Sequence, residues 1–381
     1  MPVEGVRRPA WAEISTSALA HNVAELQRVL GPSELCAVVK ANGYGHGAPL
    51  AAGALVGAGA RSLAVAIVDE GIELRNAGFA EPVLLLAEIP AATVGDALNA
   101  RLTLTVGSLE GSRAAVRAAE SAGGRHRVHV KVDTGMHRMG VAPDAVDEVV
   151  DALLASDAID LEGLYTHFSV ADGDEDVDRD FTRAQLTRFD DVVARLGARG
   201  VVPRVLHVAN SAGALAYPES RRSMSRVGLA LYGYLPGAWT GDAAGGVGLR
   251  PALTLRAKVV ASRLVDAGER PSYGRRRALS HSSWVATVPF GYADGYPRRL
   301  FDADAEVLIR GRRYPLAGSV TMDQLLVDCG DDEVRPGDEV VLLGRQGDEE
   351  VTAEEWARRA GTISWEILCG IGARVPRVVV D

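Results

Sequence analysis

Only three of the 41 basic residues in this 381-residue chain are lysines, Lys40, Lys131 and Lys258; all the others are arginines. A guanidinium neither gives up its proton nor condenses with an aldehyde, so amine chemistry is confined to three positions. Cysteine is as scarce. Cys36, Cys329 and Cys369 are odd in number, far apart and outside any metal-ligand spacing. That argues against a disulfide framework and against a metal centre, and fits thiols kept reduced in the cytoplasm. No segment approaches the ~20 apolar residues that cross a bilayer, and residues 1 to 15 hold two arginines and no apolar run, so neither a membrane partner nor export is expected. A net charge of −9 without a basic stripe argues against nucleic acid as the main partner.

What the chain does have is 47% hydrophobic residues, enough for one large core and a smaller one. Short apolar runs recur at Leu35–Lys40, Leu63–Val68, Val83–Ala87, Leu102–Val106, Val128–Asp133, Leu161–His167, Val205–Ala209 and Ser225–Leu229. Helix-like stretches alternate with them, for example Ala48–Gly57, Ser112–Gly123, Asp144–Ala155 and Arg179–Gly200. Eight such units predict an α/β fold with an N-terminal (β/α)8 barrel of the TIM type. Periodicity does not fix strand order, so an open doubly wound sheet stands as the alternative.

Tyr234 to Pro251 is rich in Gly, Ala and Pro and reads as a connector without helix or strand. Beyond it Leu253–Val265, Trp284–Pro289, Glu306–Arg310, Ser319–Cys329 and Glu339–Leu343 are strand-like, and Thr352 with Glu355 forms a capping-box pattern opening one helix, Ala353–Ala360. We therefore expect a barrel over residues 1–240 and a mainly β domain over 241–381, with the first ~12 residues pairing with the β domain.

In a parallel barrel, functional groups collect at the carboxyl ends of the strands. There the sequence places Lys40, Lys131 with Asp133, His167, Asn210-Ser211, and Arg226 with Gly228. Lys40 follows an apolar run, and partial burial frees an amine for attack on an aldehyde; the alternative is a barrel-mouth lysine paired with an acid. Tyr44, the Asn210-Ser211-Ala-Gly turn and the amides near Gly228 and Leu229 suit a phosphate, because barrels often bind one in the loops after strands seven and eight; Ser211 could equally cap local backbone. Arg226 can only donate. Facing a pyridine nitrogen it would leave that nitrogen unprotonated and weaken the ring as an electron sink, which suits proton exchange at Cα better than transamination; paired with an acid it would be structural.

Seven motifs in order complete the reading: AVVKANGYGHG at Ala37–Gly47, KVDTGMHRMG at Lys131–Gly140, HVANSAG at His207–Gly213, SRVGLALYG at Ser225–Gly233, SYG at Ser272–Gly274, PFGYADGYPR at Pro289–Arg298, and MDQ at Met322–Gln324. Through them the chain resembles the bacterial alanine racemases from end to end. The resemblance implies a barrel followed by a β domain, in a head-to-tail homodimer whose active sites the partner's second domain completes. It implies pyridoxal 5′-phosphate on Lys40, and Lys40 and Tyr273 as bases on opposite faces of an amino acid, interconverting L- and D-alanine and supplying D-alanine for peptidoglycan. It further implies that Tyr44, Asn210, Ser211, Gly228 and Leu229 lie at the phosphate, that His207 supports Arg226, and that His167 lies near the ring. Arg138 would bind the substrate carboxylate or the cofactor hydroxyl. In many relatives the lysine matching Lys131 carries a carbamate that orients this arginine. Tyr292 and Met322 would narrow the space around the substrate side chain.

Two departures limit the transfer. Thr321 stands where many relatives have cysteine, and Trp365 where many have a phosphate-contacting tyrosine. Rival readings are a related barrel decarboxylase or aldolase, which would pair the ring nitrogen with a carboxylate; a non-catalytic cofactor-binding barrel, which would lack the residues after Pro251; and a racemase for serine or another small amino acid.

Overall fold

The computed structural model describes residues 7–381, which divide into two units: Ser17–Gly43 with Ala48–Arg250, and the described residues up to Thr16 with Tyr44–Gly47 and Pro251–Asp381. After a strand at Ala10–Ser15 (β1), the first unit contains eight: Glu34–Val38 (β2), Ser62–Val65 (β3), Val83–Leu85 (β4), Leu104–Val106 (β5), His126–Lys131 (β6), Ile159–Tyr165 (β7), Val205–His207 (β8) and Met224–Val227 (β9). All eight lie within or beside the predicted runs. They pair in parallel as β4-β3-β2-β9 and β5-β6-β7-β8. Leu84 bridges Thr103 in parallel between the two sets, and on the other side Arg226 N–H donates to the Ala209 carbonyl. The strands thus follow one another around a (β/α)8 barrel, and the doubly wound alternative falls. Strands covered on both faces keep mostly apolar residues, which makes the runs visible in the sequence even where β6, β7, β8 and β9 carry polar side chains.

Helices occupy Ala48–Gly57, Leu109–Ala122, Val146–Leu154 and Asp176–Ala198. The second starts earlier than its apolar pattern suggests because Ser108 caps it, accepting the Gly111 N–H at 2.9 Å. The connector needs correction, since Ala238–Ala243 is helical. Trp239 anchors it, donating from Nε1 to the Asp172 carbonyl and meeting Tyr217 edge-on. A single anchored aromatic outweighs poor local propensity.

The second unit adds Leu253–Lys258 (β10), Ala261–Val265 (β11), Ser283–Val288 (β12), Glu306–Ile309 (β13), Arg312–Pro315 (β14), Leu325–Asp328 (β15), Glu339–Gln346 (β16), Glu349–Val351 (β17) and Arg377–Val380 (β18). One sheet runs β14-β13-β16-β10-β1-β18 with β17 on β16; a smaller one runs β11-β12-β15. The run 253–265 is therefore two strands serving different sheets. Ser319–Cys329 pairs over its second part only, because Thr321 and Gln324 close a turn through the Thr321 hydroxyl. Thr352 caps Ala353–Ala360 as expected, but the Glu355 carboxylate binds Arg313 and Arg359, so only the outward half of the capping box forms. A second short helix, Ser364–Cys369, carries Trp365. No helix among the described residues is long and apolar enough to cross a membrane.

Candidate active site

Arg226 is the centre of the barrel unit's polar cluster. It is 3% exposed, and its guanidinium donates to the carbonyls of Thr166 (2.8 Å), His207 (3.1 Å) and Val208 (3.1 Å). It also meets Nδ1 of His207 at 2.8 Å and Nδ1 of His167 at 3.0 Å. None of these partners is a carboxylate. The guanidinium lies 5.0 Å from the Tyr165 ring centroid, and Lys131 Nζ lies 5.6 Å from the same centroid. Tyr165 stacks on His207 at 4.4 Å, closing the floor of the cluster.

Charge accumulates around this floor. Burial first, then the charges of Arg226 and Arg138, opposed by Asp133, and that of Lys40 bring the Lys131 amine down to about 8. Burial first and the same cations, with Arg226 foremost, hold His167 well below the usual histidine range, so its ring is neutral at pH 7. The structure thus brings Lys40, Lys131, Arg138, His167, His207 and Arg226 into one electrostatic neighbourhood. Asp133 is engaged elsewhere: one carboxylate oxygen accepts the N–H groups of Gly135, Met136 and His137 and shapes the loop that carries Arg138. A surplus of cations around a neutral floor suits an anionic ligand.

Lys40 is half-buried and opens an unusual turn. Ala41, Asn42, Gly43 and Tyr44 all have φ between 51° and 61°, the left-handed region, which costs about 1–2 kcal/mol for each residue other than glycine. Asn42 Oδ1 accepts the Ala48 N–H at 2.9 Å and Ala41 N–H donates to Glu70 at 2.6 Å, so one side chain of the turn and one from the helix Val68–Asn76 hold it. At Gly45 a Cβ would fall 2.1 Å from the Leu368 carbonyl oxygen, so only glycine fits. Tyr44 is buried, and burial pushes its phenol above the usual range.

At the ends of β8 and β9 the two polar residues divide the work. Asn210 Oδ1 caps the helix Ser211–Ala216 by accepting the Gly213 N–H. The Ser211 hydroxyl instead accepts the Gly228 N–H at 2.9 Å and the Ala230 N–H at 3.4 Å, and Leu229 opens a short 3-10 turn beside them. The turn thus gathers a hydroxyl and several amide N–H groups into one place.

The β unit holds the remaining candidates on constrained turns. Tyr273 is 75% exposed; Ser272 before it has φ 69° and donates from its hydroxyl to the Ser319 carbonyl at 2.6 Å. Tyr292 and Met322 are brought side by side by backbone bonds: Tyr292 N–H to the Thr321 carbonyl and Ala293 N–H to the Met322 carbonyl, each 3.0 Å. Gly291 allows that approach, since a Cβ there would lie 2.3 Å from the Met322 carbonyl oxygen.

The sequence reading missed His129, Glu162 and Tyr165. His129 lies two residues before Lys131 and Tyr165 two before His167, so strand alternation would have put each on the same face as its recognised neighbour. Glu162 gave no such signal.

The sequence matches the family model described as alanine racemase, N-terminal domain, over residues 14–236, and that described as alanine racemase, C-terminal domain, over 252–379. An alanine racemase of Symbiobacterium thermophilum is 44% identical over 99% of this chain and 98% of its own length. Among solved structures, an alanine racemase of Clostridium difficile 630 superposes with a TM-score of 0.92 at 37% identity, covering 98% of this chain and 96% of that one. A histidine racemase of Leuconostoc mesenteroides gives 0.88 at 28% identity, covering 98% and 99%. With matches of this extent across both units, the chain belongs to the alanine racemase family.

Proposed function

We propose that this protein interconverts L- and D-alanine with pyridoxal 5′-phosphate, using Lys40 on one face of the substrate and Tyr273 of the partner subunit on the other. The observation that carries the proposal is Arg226: a buried cation at the carboxyl ends of the strands, bonded only to neutral groups and sharing its neighbourhood with Lys40. The donor set fits the cofactor, because it joins a primary amine, a surplus of cations for an anionic ligand, and the Ser211 hydroxyl gathered with the Gly228 and Ala230 amides. When bound, pyridoxal phosphate supplies an aldehyde that captures an amino group and a ring that draws electrons from Cα.

The residues then have separate tasks. Lys40 holds the aldehyde and moves a proton to or from Cα on its face; the phenol of Tyr273 does the same on the other face. Tyr44, Ser211 and the Gly228 and Leu229 amides would hold the phosphate, with Asn210 fixing the turn that presents Ser211. Arg226, a pure donor, would leave a ring nitrogen placed against it without a proton, which would favour return of the proton to Cα over its loss elsewhere. His207 supports Arg226, and neutral His167 would pack near the ring. Arg138 takes the substrate carboxylate, oriented by a carbamate on Lys131, and Tyr292 and Met322 leave room for a methyl group. A head-to-tail homodimer would complete each site, and the product would serve peptidoglycan synthesis in the cytoplasm.

A barrel decarboxylase or aldolase fits less well, since no carboxylate bonds Arg226. Racemisation of a different amino acid is a second reading, because the Leuconostoc mesenteroides structure carries histidine racemase on the same fold. Chiral chromatography of purified protein with added cofactor against a panel of L- and D-amino acids decides between them. We expect alanine to be exchanged fastest; no exchange of any amino acid would overturn the proposal.

A further inference from the structure

We propose that His129 and Glu162 are positioning residues for Arg226, forming with His207 a one-way line of hydrogen bonds from the guanidinium to a carboxylate toward the amino ends of the strands. The inference rests on the reading that Arg226 faces the cofactor ring.

The direction of the line follows from donor chemistry. Arginine has no acceptor, so at 2.8 Å the Nδ1 of His207 must accept from Arg226. His207 then carries its proton on Nε2, which lies 2.8 Å from Nδ1 of His129. That nitrogen must accept in turn, leaving the His129 proton on Nε2, 3.2 Å from Glu162 Oε2. Each imidazole is thereby fixed in one neutral tautomer. The ionisation directions agree: burial, then the Arg226 charge, holds His207 well below the usual range, and burial outweighs Glu162 in lowering His129. For Glu162, burial is overcome by the His129 bond and by Arg127 and Arg204, which keep it ionised.

Three local features serve this line. Between β6 and β7 the register slips: Val128 faces Leu161 while His129 faces Gly163, so Glu162 is the extra residue of a β-bulge, a device that re-aims a side chain. Gly163 makes room for the His129 ring, since a Cβ there would lie 2.6 Å from its Cγ. Tyr165 stacks on His207 and is tied through its hydroxyl to Thr105 and the Leu86 carbonyl. His129 and Glu162 also line a cavity of about 190 Å³ together with Arg61, Arg127 and Arg204, toward the amino ends of the strands, so the line spans the barrel from one end toward the other. Its consequence is that Arg226 has a counter-charge without a carboxylate beside it. The guanidinium is held in one plane by neutral acceptors, so a ring nitrogen placed against it would meet a donor of fixed orientation.

The test is ¹⁵N NMR of histidine-labelled protein with and without pyridoxal phosphate, joined to two substitutions. In the unsubstituted protein His129 and His207 should each show a protonated Nε2 and a bare Nδ1. In His129→Gln the amide can accept from His207 with its oxygen and donate to Glu162 with its nitrogen, so the line survives; in His129→Leu it is cut. We expect His129→Leu to lower kcat roughly ten- to a hundredfold with little change in KM, and His129→Gln to restore most of it. The His207 signals should lose their single-tautomer pattern in the leucine variant alone. A protonated Nδ1 or a doubly protonated ring on His207 in the unsubstituted protein would overturn the inference, as would leucine and glutamine variants that behave alike. Because the tautomers can be read without cofactor, failure of the racemase reading shows itself separately, in the amino-acid panel.

Discussion

The barrel unit buries its candidate site residues, whereas the β unit displays its own. Arg226, His207 and Lys131 are 3%, 0% and 5% exposed, while Tyr273 is 75% exposed and Tyr292 and Met322, on turns of the same unit, are exposed as well. The buried set is defined by its neighbours: burial and adjacent cations set the ionisation of His167 and Lys131, and carbonyls fix the Arg226 plane. The exposed set is defined by backbone. Ser272, Gly291 and Gly318 impose close approaches that hold each turn, yet little contacts the Tyr273 side chain. Exposed side chains on rigid turns gain a defined environment only from something that covers them, which is what a completed dimer would supply.

The contrast can be broken at either side. Lys40→Ala should have the largest effect, removing the cofactor absorbance near the visible edge and lowering racemisation by roughly three orders of magnitude or more; an unchanged spectrum and rate would end its assignment. Arg226→Glu sets a carboxylate against the carbonyls of Thr166, His207 and Val208. We expect a stability loss of about 3–5 kcal/mol in chemical denaturation and, in the folded fraction, a rise in transamination measured as pyruvate release. Tyr273→Phe should leave stability within about 0.5 kcal/mol, because the side chain is exposed. It should still cut racemisation by roughly a hundredfold or more, and unequally in the L-to-D and D-to-L directions. Equal, undiminished rates in both directions would remove it as a base.

The same contrast explains what could be read from the sequence. The eight barrel strands were legible because strands covered on both faces keep a core of apolar residues, even where His129, Lys131, Glu162, His207 and Arg226 interrupt it, and the candidate residues at and past their ends were legible because a parallel barrel collects functional groups there. Glu162 was not, since a register slip re-aims it and alternation assigns it to the wrong face. Asn210 and Ser211 could be told apart only in three dimensions, where one caps a helix and the other turns to Gly228. In the β unit, β14 escaped because its sequence, Arg-Arg-Tyr-Pro, is mostly polar; Arg313 is satisfied by Glu306, Glu349 and Glu355, partners distant in sequence or across a turn. Tyr273 was found only through a motif, because nothing in its own neighbourhood distinguishes it from any exposed aromatic.

Lys131 gives the sharpest test of how burial sets chemistry in the barrel. Its amine falls from 10.5 to about 8 on folding, by burial first and by Arg226 next. The unfolded chain therefore binds this proton more tightly, so between about pH 8 and 10.5 the unfolding free energy should rise with pH, by at most about 3 kcal/mol. Below pH 8 the full cost of the buried ammonium is present. In carbonate-free buffer Lys131→Met should accordingly be the more stable protein at pH 7, with the difference closing as pH rises past 10. The same depression leaves a usable fraction of neutral amine near pH 7, as carbamate formation requires. Bicarbonate labelled with ¹³C should then give a carbamate signal that the methionine variant lacks. Converting the cation to an anion among Arg138 and Arg226 removes the penalty, so added bicarbonate should shrink or reverse the stability difference at pH 7. A difference indifferent to bicarbonate would leave Lys131 an ordinary buried amine.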